Sequence, residues 1–383
     1  MVDNFYCSQK FTSLSVDLEK RLLYCCCSAT PEKIDLDWLR QNPGQLFNSV
    51  NLQQERQAML DNRSVASCQQ SCWTPESKGL ASRRTQHKTY QLTHTDVQAT
   101  QPEYLNIILG STCNLTCVYC CKQYSTAWTR DIRNNGVYFD HPRFNLVPVD
   151  QILSRISQDE HQKSEGFDLI VQELSNYRNL KEIVISGGEP FLYKGFPDLI
   201  NSLTHNDNLS FYTGLGVDSQ RLINQLDRIQ HKDKITAVVS AETCDQWYEF
   251  ARHGNTYQKF LQNLEILQSC MTVKFSSVLS NVTIHGIVDF VDRHAERVEF
   301  YNFCNDPDYL CINVLDDETK QQLAVSISNS NITLKDSIIS TMMKPCSEQQ
   351  RQQFGSYLSQ YAQRRNLKLD IFPTSMLNWC NLK

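Results

Sequence analysis

The stretch YLNIILGSTCNLTCVYC, residues 104–120, decides how this chain is read. Its first six residues are largely apolar and include two β-branched isoleucines, as a buried strand requires. Gly110 breaks the run, and three cysteines then follow at x3 and x2 spacing on the loop after that strand. Working outward, five more β-rich runs occur: KEIVIS (181–186), LSFYT (209–213), KITAVVS (234–240), VKFSSVL (273–279) and VEFYNF (298–303). Between them FDLIVQELSNY (167–177), SQRLINQLDRI (219–229), YQKFLQNLEIL (257–267) and GIVDFVDRHAE (286–296) place apolar residues at i, i+3, i+4 and i+7, the period of an amphipathic helix. This alternation predicts parallel βαβ units with right-handed crossovers, hence an α/β barrel or a doubly wound sheet. Periodicity alone does not choose between them.

The 383 residues suffice for two or three structural units. Lys and Arg total 37 against 42 Asp and Glu, a net charge of −5, which argues against a general nucleic-acid coat or an anionic-membrane binder. No apolar run reaches the length of a membrane span. The start, Met1–Ser15, lacks the basic and apolar regions of a signal peptide, so a cytoplasmic location is expected. Cysteine is the outlier at 16 residues. In a reducing compartment clustered cysteines are metal ligands or catalytic groups more often than disulfides.

Cys113, Cys117 and Cys120 can each ligate one iron of a 4Fe-4S cluster and leave the fourth iron open to an exogenous chelating ligand. The alternative is a zinc loop completed by Cys121 or a remote histidine, since structural zinc normally takes four protein ligands. A second signal, Ser186-Gly187-Gly188-Glu189-Pro190, follows the second strand. Two adjacent glycines allow an unusual turn and close approach of a ligand, and Glu189 offers an acceptor for a cationic amine. Both signals fall at the C-terminal edge of one parallel sheet, where ligands bind.

In these residues the chain resembles the radical S-adenosylmethionine (SAM) superfamily: CNLTCVYC matches its Cys-x3-Cys-x2-Cys loop and SGGEP its GGE motif. The resemblance implies a partial (βα)6 TIM-like barrel over 101–315 in which Cys113, Cys117 and Cys120 hold a catalytic 4Fe-4S cluster. It implies further that SAM chelates the open iron, that Tyr119 lies against the adenine, and that Gly187, Gly188, Glu189 and Pro190 shape the site of the methionyl amine. Ser240 and Glu242, at the fourth strand end, stand where relatives often read Ser-x-Asp, and Arg252 resembles the arginine aimed at the SAM carboxylate. The implied activity is reductive cleavage of SAM to a 5'-deoxyadenosyl radical that takes a hydrogen atom from a peptide side chain or small metabolite, with flavodoxin or ferredoxin as electron donor.

Residues 1–100 form a separate Cys-rich module with Cys7, the run Cys25-Cys26-Cys27, Arg56 to Arg63, Cys68-x3-Cys72-Trp73, Glu76, Gly79 and Ser82-Arg83. This pattern is similar to the module that precedes the barrel in twitch-type radical SAM proteins, which implies an auxiliary Fe-S cluster, expected as 4Fe-4S. The expected ligands are Cys7, Cys26, Cys68 and Cys72, with Cys25 the substitute for Cys26 and zinc the competing metal. The relatives' late pair is Cys-x2-Cys, one residue shorter. Residues 316–383 are expected as a polar stretch to Lys335, a helix over 347–365 and a tail containing KLDIFP (368–373). A long loop is expected over 129–148, and Cys304 is a candidate for the barrel mouth. His87, His94, His141, His205 and His253 show no ligand spacing. Two other readings compete: modification of a nucleotide or RNA, which the acidic balance disfavours, and a non-catalytic zinc- or cluster-stabilised binding protein.

Overall fold

The computed structural model describes residues 4–26, 29–79, 81–86, 88–89, 91, 93–98, 101–139, 160–178, 180–294 and 298–382. Nine strands form one sheet: β1 Ser13–Asp17, β2 Leu22–Tyr24, β3 Glu32–Lys33, β4 Tyr104–Ile108, β5 Glu182–Ser186, β6 Leu209–Thr213, β7 Ile235–Ser240, β8 Thr272–Leu279 and β9 Val298–Phe303. The last six are the strands expected from sequence, each within a residue of its expected bounds. Their spatial order is their chain order, and every neighbouring pair from β4 to β9 is parallel. Order without reversal belongs to a barrel, whereas a doubly wound sheet reverses at a switch point. The sheet stays open between β3 and β9, so the barrel is partial.

Alternation along each strand sets the layers. Leu105 and Ile107, Ile183 and Ile185, and Ala237 and Val239 are buried beneath the helices. Their neighbours Asn106, Val184, Ser186, Ser210 and Thr236 face inward and are half-buried. Helices connect the strands: α1 Val50–Leu60 precedes β4; α2 Thr126–Asn135 and α3 Glu160–Ser175 lie between β4 and β5; α4 Phe196–Leu203 follows β5; α5 Ser219–Leu226 follows β6; α6 Asp245–Ala251 and α7 Tyr257–Gln268 follow β7; and α8 Ile287–His294 follows β8.

Three features differ from the sequence expectations. The loop expected over 129–148 begins as helix, because Ser125 caps α2 by accepting from Trp128 N and Gly136, at φ 78°, ends it; residues 140–148 lie outside the described residues. The polar stretch to Lys335 holds α9, Asp317–Ser328, capped by Asp316, and is followed by α10, Lys335–Met342. Polar residues dominate α9, so its apolar periodicity is too faint to read. Most consequentially, the sheet crosses residue 100: β1 pairs in parallel with β4, Ser13 beside Tyr104 through Asp17 beside Ile108, and β2 and β3 extend it antiparallel. The expected C-terminal helix is α11, Glu348–Arg365, with a Ser347–Gln350 capping box, and a short α12, Thr374–Trp379, follows.

Candidate metal centre and cofactor site

The three-cysteine loop leaves the C-terminal end of β4 and is pinned before any metal is considered. Thr116 N donates to His253 O at 2.9 Å and Val118 N to Ala251 O at 2.8 Å, which lays the loop beside the segment that carries Arg252. Burial, with Cys117 and Glu189 nearby, pushes the Cys113 thiol up to about 12. Burial also raises Cys117, against the pull of Arg252, and raises Cys120, with Cys117, Cys121 and Cys113 adding to it. The three thiols therefore lie in one another's field and resist ionisation. A cationic group would supply the missing counter-charge and release their protons. Leu115 N already points at Cys113 Sγ, 3.5 Å away, and Arg252 Nη1 at Cys117 Sγ, 3.9 Å away. As a donor set this fits an iron-sulfur cluster, whose thiolates each bind a different iron. Among the described residues no three His, Cys, Asp or Glu side chains converge as the ligands of a single ion would.

The Gly187-Gly188 turn lies against this loop. Both glycines have positive φ, 90° and 57°. A Cβ on Gly188 would collide with the Thr112 carbonyl oxygen, and one on Gly187 would come within 2.9 Å of Gly110 O. Only glycine lets the two loops touch. Glu189 is placed differently from the expected free acceptor. It is fully buried, and its carboxylate accepts from Thr213 Oγ1 at 2.7 Å, Gly214 N at 3.0 Å and Phe191 N at 3.4 Å. Burial raises its pKa, against the pull of these donors. The side chain thus ties the turn after β5 to the end of β6, and the glycine backbone faces the neighbouring loop. Pro190 is buried at the start of the following turn.

Tyr119, Glu242 and Arg252 form one buried network. Arg252 Nη2 donates to Glu242 Oε2 at 2.7 Å, with the two side chains 3% and 0% exposed. Tyr119 OH donates to both carboxylate oxygens, at 3.2 and 3.3 Å, and the guanidinium lies over the Tyr119 ring at 5.6 Å. Glu242, which replaces the expected Asp, is long enough to reach both partners. Arg252 Nε, also buried, has no hydrogen-bond partner, so one donor of the fork is available to a ligand. Ser240, at the end of β7, is half-buried and pairs in register with Ser276.

In the N-terminal module Cys7, Cys68 and Cys72 share a small core with Met59, Val65 and Trp73. Cys25, expected only as a substitute, is buried beside them: its thiol bonds with those of Cys26 and Cys68, and these bonds, with Lys10 nearby, lower it. Cys7 is raised by burial and feels both Cys25 and Cys72. Cys26 is half-buried and lines a cavity, while Cys27 lies outside the described residues. Sequence reasoning named Arg56 and Glu76 in the pattern but passed over Lys10, Glu55 and Arg84, which help to hold this set. Lys10, 1% exposed, donates to Glu55 at 2.5 Å. Arg56 donates to the carbonyls of Lys10 and Phe47 and to Asn48 Oδ1, and burial lowers it to about 10. Arg84 pairs with Glu76, which also accepts from Ser82 Oγ. Lys10 stands in the polar stretch CSQKFTS (7–13), so nothing local marks it as buried.

The cavity, about 920 Å3, lies between this module and the inner face of β1, β4, β5 and β6. Its walls include Ser15, Cys26, His94, Asn106, Ser186 and Tyr212, so it runs from the residue before Gly187 to the vicinal cysteines. Cys304, the candidate for the barrel mouth, is instead buried in the main core, with its backbone N bonded to Leu279 O. His205 bonds Tyr177 O and His253 bonds Thr116 Oγ1, while His87 and His141 lie outside the described residues.

Residues 107–294 match the Radical SAM superfamily. That segment is a radical SAM domain. No curated protein matches the chain. Among solved structures, native anSMEcpe with bound AdoMet is similar at 18% identity over 53% of this chain and 52% of that one, with a TM-score of 0.34. Streptococcus suis SuiB bound to S-adenosylmethionine is similar at 14% identity over 85% of this chain and 68% of that one, TM-score 0.34. SuiB bound to its precursor peptide SuiA is similar at 13% identity over 85% and 69%, TM-score 0.34. The match thus spans about half the length of the anSMEcpe chain. The radical SAM domain begins inside β4 and ends with α8, and so contains the cysteine loop, the glycine turn and the buried arginine. No helix among the described residues is long and apolar enough to cross a membrane.

Proposed function

We propose that the protein is a radical SAM enzyme acting on a peptide side chain or small metabolite held in the cavity between the barrel and the N-terminal module. The observation that carries this reading is the loop of three mutually interacting thiols, Cys117 buried and Cys113 and Cys120 half-buried, pinned beside the Gly187-Gly188 turn inside the radical SAM domain. With a cluster and SAM bound, the chemistry supplied is reductive SAM cleavage and hydrogen-atom abstraction by the resulting radical. The chain's own residues do the rest. Cys113, Cys117 and Cys120 would hold the cluster, and Arg252 Nε, left free by the Glu242 pair, suits a carboxylate oxygen of SAM. Gly187 and Gly188 bring backbone close to the ligand, Glu189 holds that turn in place, and Tyr119 offers a ring face. The protein must also keep water and the wrong hydrogen atoms away from a reactive centre, and a substrate seated in the cavity on the inner face of the barrel would help to meet that need.

The N-terminal thiols are assigned to an auxiliary Fe-S cluster, with Cys7, Cys25, Cys68 and Cys72 as ligands. Burial beside the other three is the ground for taking Cys25 over Cys26. A soluble flavodoxin or ferredoxin in the cytoplasm is the proposed source of electrons. Iron and sulfide per chain, measured after anaerobic reconstitution, test this directly alongside 5'-deoxyadenosine formed with dithionite and SAM. The wild type should hold about eight irons, as two 4Fe-4S clusters require, and the Cys113, Cys117, Cys120 triple Ala variant about half, with no 5'-deoxyadenosine. Zinc in place of iron, or a full cluster without 5'-deoxyadenosine, sinks the catalytic reading.

A further inference from the structure

The three-cysteine loop is held on its far side by the C-terminal helix, which lies outside the matched domain. The carbonyls of Thr116, Cys117 and Val118 each accept from a buried aromatic donor. Tyr361 OH donates to Thr116 O at 2.7 Å, Trp128 Nε1 to Cys117 O at 3.0 Å, and Tyr357 OH to Val118 O. Tyr357 and Tyr361 both come from α11, four residues apart on one face. One turn further along, Arg365 donates from Nε to Thr116 Oγ1 at 3.0 Å and from Nη1 to Tyr138 OH at 2.7 Å. Its guanidinium lies 4.0 Å from the Tyr361 ring centre and 4.7 Å from that of Trp128.

The charges behind the loop do not cancel. Arg364 and Arg365, 10% and 3% exposed, face one carboxylate, Asp131, at 3.4 and 3.6 Å. Among the described residues, two cations against one anion leave one net positive charge, largely removed from solvent, behind the backbone of Cys117. A charge in such a place acts at longer range than one at the surface, because little water screens it.

We infer that Arg365 is a positioning residue for the cluster site, fixing the Thr116–Val118 loop and, through the net charge it shares with Arg364 and Asp131, raising the reduction potential of the cluster. This rests on the reading of Cys113, Cys117 and Cys120 as cluster ligands. Reduction adds a negative charge to the cluster, so a buried cation behind it favours the reduced form, and nearby charge is one of the levers that set such potentials. Arg365→Gln removes the cation. Asp131→Asn removes the anion and leaves both arginines. The two changes therefore push in opposite directions, which loss of packing does not do.

The test uses the full-length chain, reconstituted anaerobically as wild type, Arg365→Gln, Arg365→Lys and Asp131→Asn. Iron and sulfide are counted first, and a wild type without iron sinks both the cluster reading and this inference. Redox titration followed by electron paramagnetic resonance is then read at the signal that changes on adding SAM, which separates this cluster from any other. Arg365→Gln is expected to disfavour the reduced form about tenfold, a fall of about 59 mV for one electron. Asp131→Asn is expected to shift the potential upward, and Arg365→Lys to stay nearer the wild type than Arg365→Gln. Shifts of the same sign in Arg365→Gln and Asp131→Asn, or no shift in either, overturn the inference even if iron content is unchanged. Should Arg365→Gln fail to hold iron, the sign of the Asp131→Asn shift decides: upward supports the inference, and downward or absent overturns it.

Discussion

Replacing Glu242 by Gln changes one charge and almost no volume, which isolates the electrostatic worth of the Glu242–Arg252 pair. Both side chains are buried and their nitrogen and oxygen are 2.7 Å apart. Gln keeps an acceptor for Tyr119 OH and opens no cavity, so the cost is that of a buried guanidinium left without its counter-charge. Breaking a buried pair in this way costs about 3–5 kcal/mol. Arg252→Met alone leaves the opposite problem, a buried carboxylate eased only by Tyr119. The double variant removes both charges, and exchanging a buried pair for apolar or neutral groups is often close to neutral. Guanidinium unfolding of the metal-free protein under anaerobic conditions, followed by circular dichroism, gives the four corners of the cycle. The double variant should be more stable than the Glu242→Gln single, with a coupling of several kcal/mol, since contacting partners are not additive. A Glu242→Gln loss below about 1 kcal/mol, or a double loss equal to the sum of the singles, refutes the reasoning.

Three further outcomes are expected. Gly188→Ala adds a Cβ at φ 57° against the Thr112 carbonyl and should cost about 1–3 kcal/mol for the backbone alone; 5'-deoxyadenosine formation should fall with it, and an active variant of wild-type stability would contradict the close approach of the loops. Cys25→Ser should lower iron per chain by about half whereas Cys26→Ser should leave it unchanged; the reverse pattern on elemental analysis would restore Cys26 as the ligand. His285 is half-buried with its Nε2 enclosed, stacked on Trp247 with ring centres 4.8 Å apart, and loss of hydration lowers its pKa to about 4 despite Asp316 nearby. Between pH 4 and its ordinary 6.5 the unfolded chain binds a proton there that the folded chain does not, so stability falls as pH falls. From pH 7 to pH 5 this group should account for a loss of about 2 kcal/mol in the metal-free protein, a slope that His285→Phe should remove from the urea-unfolding profile.

The parallel strands were legible because their signal is local and doubled. Each pairs an apolar face under helices with a short length bounded by turns, and the helices between them carry the other period. The cysteine loop and the glycine turn were legible for a related reason: metal spacing and Gly-Gly are patterns of residue type within a few positions. What failed were relations between distant residues. Nothing near Ser13 announces that β1 pairs with β4, some ninety residues on, and so the N-terminal module read as separate. Glu189 looked like an acceptor for a ligand because its partners, Thr213 and Gly214, lie at the far end of the next strand. That Cys25 is buried and Cys26 half-buried was not legible either, because adjacent residues in an irregular segment give no alternation from which to tell. The roles of Tyr357, Tyr361 and Arg365 lay hidden in a polar helix whose i, i+4, i+8 spacing was visible but whose target, near residue 117, was not.

The two thiol sets are built on a common plan despite their different surroundings. A cluster ligand loop must present unsatisfied sulfurs, and a buried loop must leave its backbone groups satisfied. Around Cys117 these demands are met by separate neighbours: the Ala251–His253 segment takes the amides of Thr116 and Val118, and α11 with α2 takes the carbonyls. The sulfurs are thereby left for another partner. Around Cys25 and Cys68 the work falls to paired charges, Lys10 with Glu55 and Arg84 with Glu76, and to Arg56 on four acceptors. In both places protein partners satisfy these backbone groups and charges, so a bound metal would not have to supply those contacts. A structural zinc finger, unfolded without its ion, is the opposite case. Full tertiary structure in the iron-free chain follows from this arrangement, with near-ultraviolet circular dichroism from Trp128 and the α11 tyrosines as the readout. A featureless spectrum that gains structure only on reconstitution would show instead that the clusters hold the loops.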